Sequence, residues 1–304
     1  MNFKRLLVED KKELKRFFNK KNNELCVYSP QTLIVWSADS YYPVYAVKKD
    51  SLFTGAVFPE NKFKNHLILP VTDDKEILSP ENMFSFLKNT DFSFFKYIPE
   101  SYIQNFGKDH ISRFFKIEEK KGDSDYIFKR EDLAELKGRK YSKKRNLINQ
   151  FLKSYGSRYT FESISKANTD EVLIFLEEWC LQRDCGKNPN SDIACEKQAA
   201  INAILNHDKL NYKSIALRID TEIQAFAFAS KLTEETYSLN FQKASSHIKG
   251  LYQFFDQLCA KELFTDEVLY INKESDMDDD GLRQAKNSYY PERMITSYNL
   301  YPVS

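Results

Sequence analysis

The clearest signal along this chain is a repeated change in the spacing of its apolar positions. Residues 158–164 alternate apolar and polar side chains, as a half-buried strand does. Residues 170–182 and 196–205 instead carry the 3.6-residue spacing of helices. Three more alternating runs follow at 213–219, 223–232 and 237–241, and then a helix over 249–263 with Leu251, Phe254, Phe255 and Leu258 on one face. A strand at 267–272, a short helical piece at 282–286 and a last strand at 294–300 complete the half. From residue 158 the predicted order is β-α-α-β-β-β-α-β-α-β.

The first half is less regular. Residues 9–21 predict a charged helix with a stripe of Leu14, Phe17 and Phe18. β-branched and aromatic runs at 32–36, 44–47, 52–58 and 67–71 predict strands, and Pro43, Gly55 and Pro59 between them suggest hairpins. Ser79-Pro80-Glu81 is a helix start, with serine as N-cap and proline in the first turn, and that helix should run to about Lys88. A strand is expected over 92–98. The polar stretch 118–125, with Gly122, marks a boundary, which divides the chain into domains 1–120 and 121–304.

Composition narrows the class without naming a function. The 304 residues are 42% hydrophobic and 29% charged, which is the make-up of a soluble globular protein with room for two domains. A formal net charge of +1 supplies no global field for nucleic acid or an anionic membrane, so any such attraction must be local. No apolar run reaches the ~18 residues of a membrane span. The charged N-terminus and five cysteines, an odd number, predict a reduced, cytoplasmic protein.

Three stretches hold candidate chemistry. Residues 137–145 carry six cations and no acid. In one continuous helix over 131–155, Lys137, Lys140 and Lys144 would fall on the apolar face with Leu133, Leu136, Leu147 and Phe151, an arrangement too costly to bury unpaired. The alternatives are a solvated surface helix, a face that looks into an anion-binding cavity, or a break at Gly138 with Ser142 capping a second helix whose free amides and cations favour an anion. The turn 242–250 precedes a long helix and offers only Gly250, with Ser245 or Ser246 as caps. Asp276, Asp278, Asp280 and Gly281 imitate a calcium loop, but the twelfth position is Asn287 and a strand precedes it, so no metal site is expected. Cys180, Cys185 and Cys195 are too loosely spaced to define a zinc site.

Four segments together resemble a known family: 125–151 (DYIFKREDLAELKGRKYSKKRNLINQF), 225–230 (AFAFAS), 240–244 (NFQKA) and 270–291 (YINKESDMDDDGLRQAKNSYYP). It is the phosphatidylglycerol lysyltransferase C-terminal-domain-like family. The resemblance implies an α+β fold of two tandem GNAT-like domains, each a mostly antiparallel central sheet flanked by helices. It also implies transfer of an acyl or aminoacyl group from acyl-coenzyme A or aminoacyl-tRNA to an amine or hydroxyl, with tRNA or another nucleotide-containing donor as partner. The competing expectation is an inactive module of the same fold that binds an anionic ligand or RNA. On residue type and family position, Lys140, Lys144, Arg145, Lys243, Gly250, Arg283 and Lys286 are expected to hold the donor. Tyr289 would protonate the leaving group, and Glu196 or Asp280 would act as base. One departure stands out: the family's phenylalanine-glutamate-lysine is here Phe241-Gln242-Lys243, and an amide accepts no proton. The five acids of 274–280 are expected to lie near the basic run and fix it.

Overall fold

The structure is a computed structural model that describes all residues except 19–22, 73–76, 183–191, 266 and 304, and the side chains of 192–195. It is a mixed α+β fold with two sheets, both dominated by antiparallel pairs and flanked by helices. The chain separates into two compact units. The first is 1–125 with 275–280 and 294–304; the second is 126–274 with 281–293.

The first unit contains strands β1 (Lys4–Arg5), β2 (Tyr42–Lys48), β3 (Ser51–Val57), β4 (His66–Leu67), β5 (Val71–Thr72), β6 (Phe94–Pro99) and β7 (Phe115–Glu119). Its helices are α1 (Lys11–Phe18), α2 (Pro30–Val35), α3 (Pro80–Lys88), α4 (Glu100–Phe106) and α5 (Lys108–Ile111). The expected helix start at Ser79 is present, with its hydroxyl accepting from the Asn82 amide at 3.4 Å. The strand expected over 32–36 is instead α2. Ser29 caps it by accepting from the Thr32 amide at 3.1 Å, and Pro30 opens the first turn, so local capping outweighs the β-propensity of Thr32-Leu33-Ile34-Val35. Pro70, which has no amide to give a ladder, separates β4 from β5 where one strand was expected.

The second unit carries β8 (Asp125–Lys129), α6 (Arg130–Glu135), α7 (Ser142–Tyr155), β9 (Tyr159–Glu162), α8 (Thr169–Gln182), α9 (Asp192–Leu210), β10 (Lys213–Ile219), β11 (Glu222–Lys231), β12 (Thr236–Ala244), α10 (Leu251–Glu262), β13 (Tyr270–Asn272), α11 (Asp280–Asn287) and β14 (Arg293–Ile295). From β9 onward this is the expected order. The sheet runs β14-β8-β13-β12-β11-β10-β9, and β12 pairs with β13 in parallel. The alternation in Ala225-Phe226-Ala227-Phe228-Ala229-Ser230 shapes both faces. The alanines meet α6, α7 and α10 in a core with Phe151, Phe254 and Phe255, where small side chains let a helix come close. The phenylalanines turn to the opposite face, where Phe226 meets Phe175 of α8 edge-on at 6.1 Å.

The last strand, β15 (Ser297–Pro302), was expected in the second domain. It lies in the first sheet instead, hydrogen-bonded between β6 and β7. Among the described residues no helix is long and apolar enough to cross a membrane.

Candidate functional site

The basic run breaks where its glycine allows. Leu136 closes α6 in the left-handed region at φ 49°, and Gly138 follows at φ 88°. A 3₁₀ turn over Arg139–Tyr141 then leads into α7, so Ser142 is the first helical residue and not a side-chain cap. The break disperses the cations. Lys137 pairs with Glu131 and Glu135, and Lys140 with Asp132 at 3.6 Å, so acids of α6 are their partners, not the acids of 274–280. Arg145 donates to the carbonyls of Leu136 and Gly138, at 2.5 and 2.7 Å, closing the end of α6.

Lys144 turns inward. Its Nζ donates to Ser288 Oγ at 2.7 Å and lies 3.9 Å from the centre of the Tyr289 ring. Tyr289 lies in the turn after α11, and its carbonyl accepts from Tyr141 Oη at 2.9 Å, which fixes the turn into Tyr290 at φ 56°. Lys273, directly after β13, forms an ion pair with Asp256 of α10 and sits 5.4 Å from the same ring. Burial, with Lys273 nearby, depresses the Lys144 ammonium pKa against the pull of Asp256. Burial, then Asp256, pushes the Tyr289 phenol far above its usual range. Its hydroxyl is buried, with no hydrogen bond of good geometry to Asp256 or to any other group among the described residues.

On the opposite face of the sheet lies a second group. Lys243 pairs with Glu196 at 2.6 Å and stacks over Trp179 at 4.4 Å, and Trp179 Nε1 donates to Tyr252 Oη at 3.0 Å. The structure therefore brings Lys144 and Tyr289 together, and separately Lys243 and Glu196. Lys286 donates to the carbonyls of Lys273 and Glu274, at 2.5 and 3.1 Å, clamping the chain as it leaves β13. Arg283 is half-buried on α11, and Asp280 is exposed at that helix's start, in the first unit.

Between these groups the sheet opens. β12 and β13 pair only through Thr236–Tyr270, Tyr237–Ile271 and Ser238–Asn272, while β12 continues to Ala244. Just past the split, Asn240 is the extra residue of a bulge, because Phe228 faces Phe241 and Ala229 faces Leu239. Glu274, held at φ 59° by the Lys286 clamp, accepts from Ser238 Oγ at 3.1 Å and Asn240 Nδ2 at 2.9 Å. Lys273 and Glu274 thus serve opposite sides of one notch.

The turn 242–250, expected to cap its helix through Ser245 or Ser246, is built differently. Gly250 adopts φ 84°, and a Cβ there would lie 2.1 Å from the Leu147 carbonyl oxygen of α7. Its glycine serves helix packing, and neither Ser245 nor Ser246 caps α10. Gln242 lies opposite Ala227, on the face of α10, with its side-chain nitrogen buried and, among the described residues, unpartnered. Asn240, Asp256 and Lys273 have no place among the expected site residues, and Glu274 was expected only as a strut for the basic run; the signal available was the pairing of a lysine and a glutamate directly after a strand. Cys185 and the side chain of Cys195 lie outside the described residues, and Cys180 is buried on α8.

Two antiparallel-dominated sheets flanked by helices, the second split at a parallel pair, define an acetyltransferase-like α+β fold in tandem. Residues 97–301 match the family described as phosphatidylglycerol lysyltransferase, C-terminal, and the chain belongs to that family. The match begins in β6, well before the segments that carried the resemblance. A conserved protein of unknown function from Bacteroides thetaiotaomicron is similar over the whole of both chains, at 26% identity and TM-score 0.88. The L-PGS structure from Bacillus licheniformis shares the fold at 15% identity and TM-score 0.64, covering 95% of this chain and 91% of that one. The C-terminal domain of an Agrobacterium fabrum lysylphosphatidylglycerol synthetase does so at 12% and 0.66, covering 98% and 92%. No curated protein sequence matches the chain.

Proposed function

We propose that the second unit transfers an aminoacyl group from a phosphate-bearing ester donor to an amine or hydroxyl. The observation that carries this reading is the notch where β12 leaves β13, with a bulge at Asn240 and the Glu274 carboxylate beside it. A carbonyl placed there meets strand backbone on one side and a carboxylate on the other. The acceptor's nucleophilic atom adds to the acyl carbon while Glu274 takes its proton. Collapse of the tetrahedral intermediate then breaks the bond to the donor oxygen, which recovers that proton from Glu274. Tyr289 is a poor source for it, since its raised pKa makes proton release uphill.

An aminoacyl-tRNA end suits the site better than acyl-coenzyme A. The close approach of Gly250 to Leu147 occupies the turn that would cradle a pyrophosphate. The competing reading, an inactive module, draws support from Gln242, whose amide moves no proton.

The test is incubation with labelled aminoacyl-tRNA and candidate acceptors, including phosphatidylglycerol vesicles and free amines. Transfer of label is expected, and Glu274→Gln should slow it by about 10²–10⁴-fold with its melting temperature close to that of the parent. No transfer to any acceptor, or a Glu274→Gln protein as fast as the parent, would sink the proposal.

A further inference from the structure

We propose that Lys144, Lys273 and Tyr289 form a binding site for a phosphate group. The site supplies the donor-holding half of the transfer reading above, and its test reads binding alone.

The argument starts from an imbalance of charge and hydrogen bonds. Lys243 has Glu196, and Arg218, nearer the surface, has both Glu162 and Glu171, so these cations are neutralised by their own carboxylates. Lys144 and Lys273 share one, Asp256, which is ion-paired to Lys273. Lys144 is left half-buried with a hydroxyl as its hydrogen-bond partner, and that hydroxyl, Ser288 Oγ, donates in turn to the Ala285 carbonyl at 2.6 Å. One positive charge is therefore in excess where solvent is partly excluded, a costly arrangement unless an anion completes it. Stability alone does not call for a second ammonium over the same ring.

Tyr289 provides the independent observation. The residue is only 6% exposed, and among the described residues its hydroxyl makes no hydrogen bond of good geometry, although Asp256 lies near it. A buried donor left unmade costs about 1–3 kcal/mol. Both ammonium groups lie over its ring, at 3.9 and 5.4 Å. Two ammonium groups and a phenol supply donors from three side chains, which suits the several oxygens of a phosphate better than a single carbonyl. The elements around it are rigidly tied: Lys286 clamps the carbonyls beside Lys273, and Tyr141 holds the Tyr289 carbonyl. Such a site is built before its ligand arrives.

A nucleotide end and a lipid headgroup both present this chemistry. Calorimetric titration of the full chain with inorganic phosphate, AMP, and vesicles of phosphatidylglycerol against phosphatidylcholine separates them. Saturable phosphate binding is expected, about tenfold weaker in Lys144→Met, weaker in Tyr289→Phe, which keeps the ring, and unchanged in Lys137→Met, whose ammonium pairs with Glu131 and Glu135. Lys144→Arg, retaining charge, should recover part of the loss if Lys144→Met is poorly folded by circular dichroism. Tighter AMP supports the site with a nucleotide source, and selective retention on phosphatidylglycerol supports it with a lipid source. Absence of saturable binding to every probe, or equal phosphate binding by parent, Lys144→Met and Tyr289→Phe, overturns the proposal. Binding without aminoacyl transfer would leave this site standing and remove the transferase.

Discussion

Gly250 and His66 show how single residues set limits that composition hides. At φ 84° an alanine is strained whatever surrounds it, and at Gly250 its Cβ would also strike the Leu147 carbonyl. Gly138 has a similar φ of 88° with nothing within 4 Å of a Cβ, so it isolates the conformational part. Gly138→Ala should cost about 1 kcal/mol and Gly250→Ala about 2–4 kcal/mol, measured by urea unfolding. Equal losses would show that the approach of α10 to α7 is not tight. His66 is buried in the first unit, with Nδ1 2.9 Å from the Lys64 carbonyl, and burial, aided by the charge of Lys96, depresses its pKa to about 3. Its folded pKa lies below the ordinary 6.5, so the unfolded chain binds the extra proton, and stability is lost as pH falls from 6.5 toward 3. Between pH 7 and 5 that loss should be about 2 kcal/mol. His66→Gln should flatten most of the slope; an unchanged slope would place the titrating group elsewhere.

At the scale of elements, legibility followed how local the deciding physics was. The series from β9 to α11 could be read because each element announces its period, and α3 because its cap is three adjacent residues. Thr32-Leu33-Ile34-Val35 was read as a strand since its β-branched content spoke louder than Ser29-Pro30, although that cap is just as local. The break at Gly138 followed from the cost of burying lysines, which is a physical argument rather than a pattern. What each cation then did was invisible. Arg145 closes a helix end and Lys286 clamps a strand exit, and in sequence both look like ligands for an anion. The notch was also illegible, because the bulge at Asn240 depends on the register between β11 and β12, and the divergence of β12 from β13 on a parallel pairing between residues far apart in the chain. Lys273 and Glu274 acquire their separate roles only there.

For the whole molecule, sequence order and structural membership part company at the C-terminus. A boundary near residue 120 assigned everything after it to one domain, yet 275–280 and 294–304 belong to the first unit. The reason is β15: it fills the place between β6 and β7, pairing Tyr298 with Ile98 on one side and with Glu119 on the other. Leu300 and Ser297 are wholly buried there. Removing it strips hydrogen bonds from two neighbours at once and leaves their inner edges and the core beneath open to water. A chain ending at Arg293 should therefore lose cooperative unfolding of the first unit, while a fragment 126–293, which keeps β9 to β13 and their helices, should unfold cooperatively by far-UV circular dichroism. A fragment 121–304 carries β15 without β6, and should self-associate through that orphan strand on size-exclusion chromatography. A monomeric 121–304 fragment as stable as 126–293 would show that β15 can be housed without its first-unit partners, and the earlier boundary would then be the better description of how this chain folds.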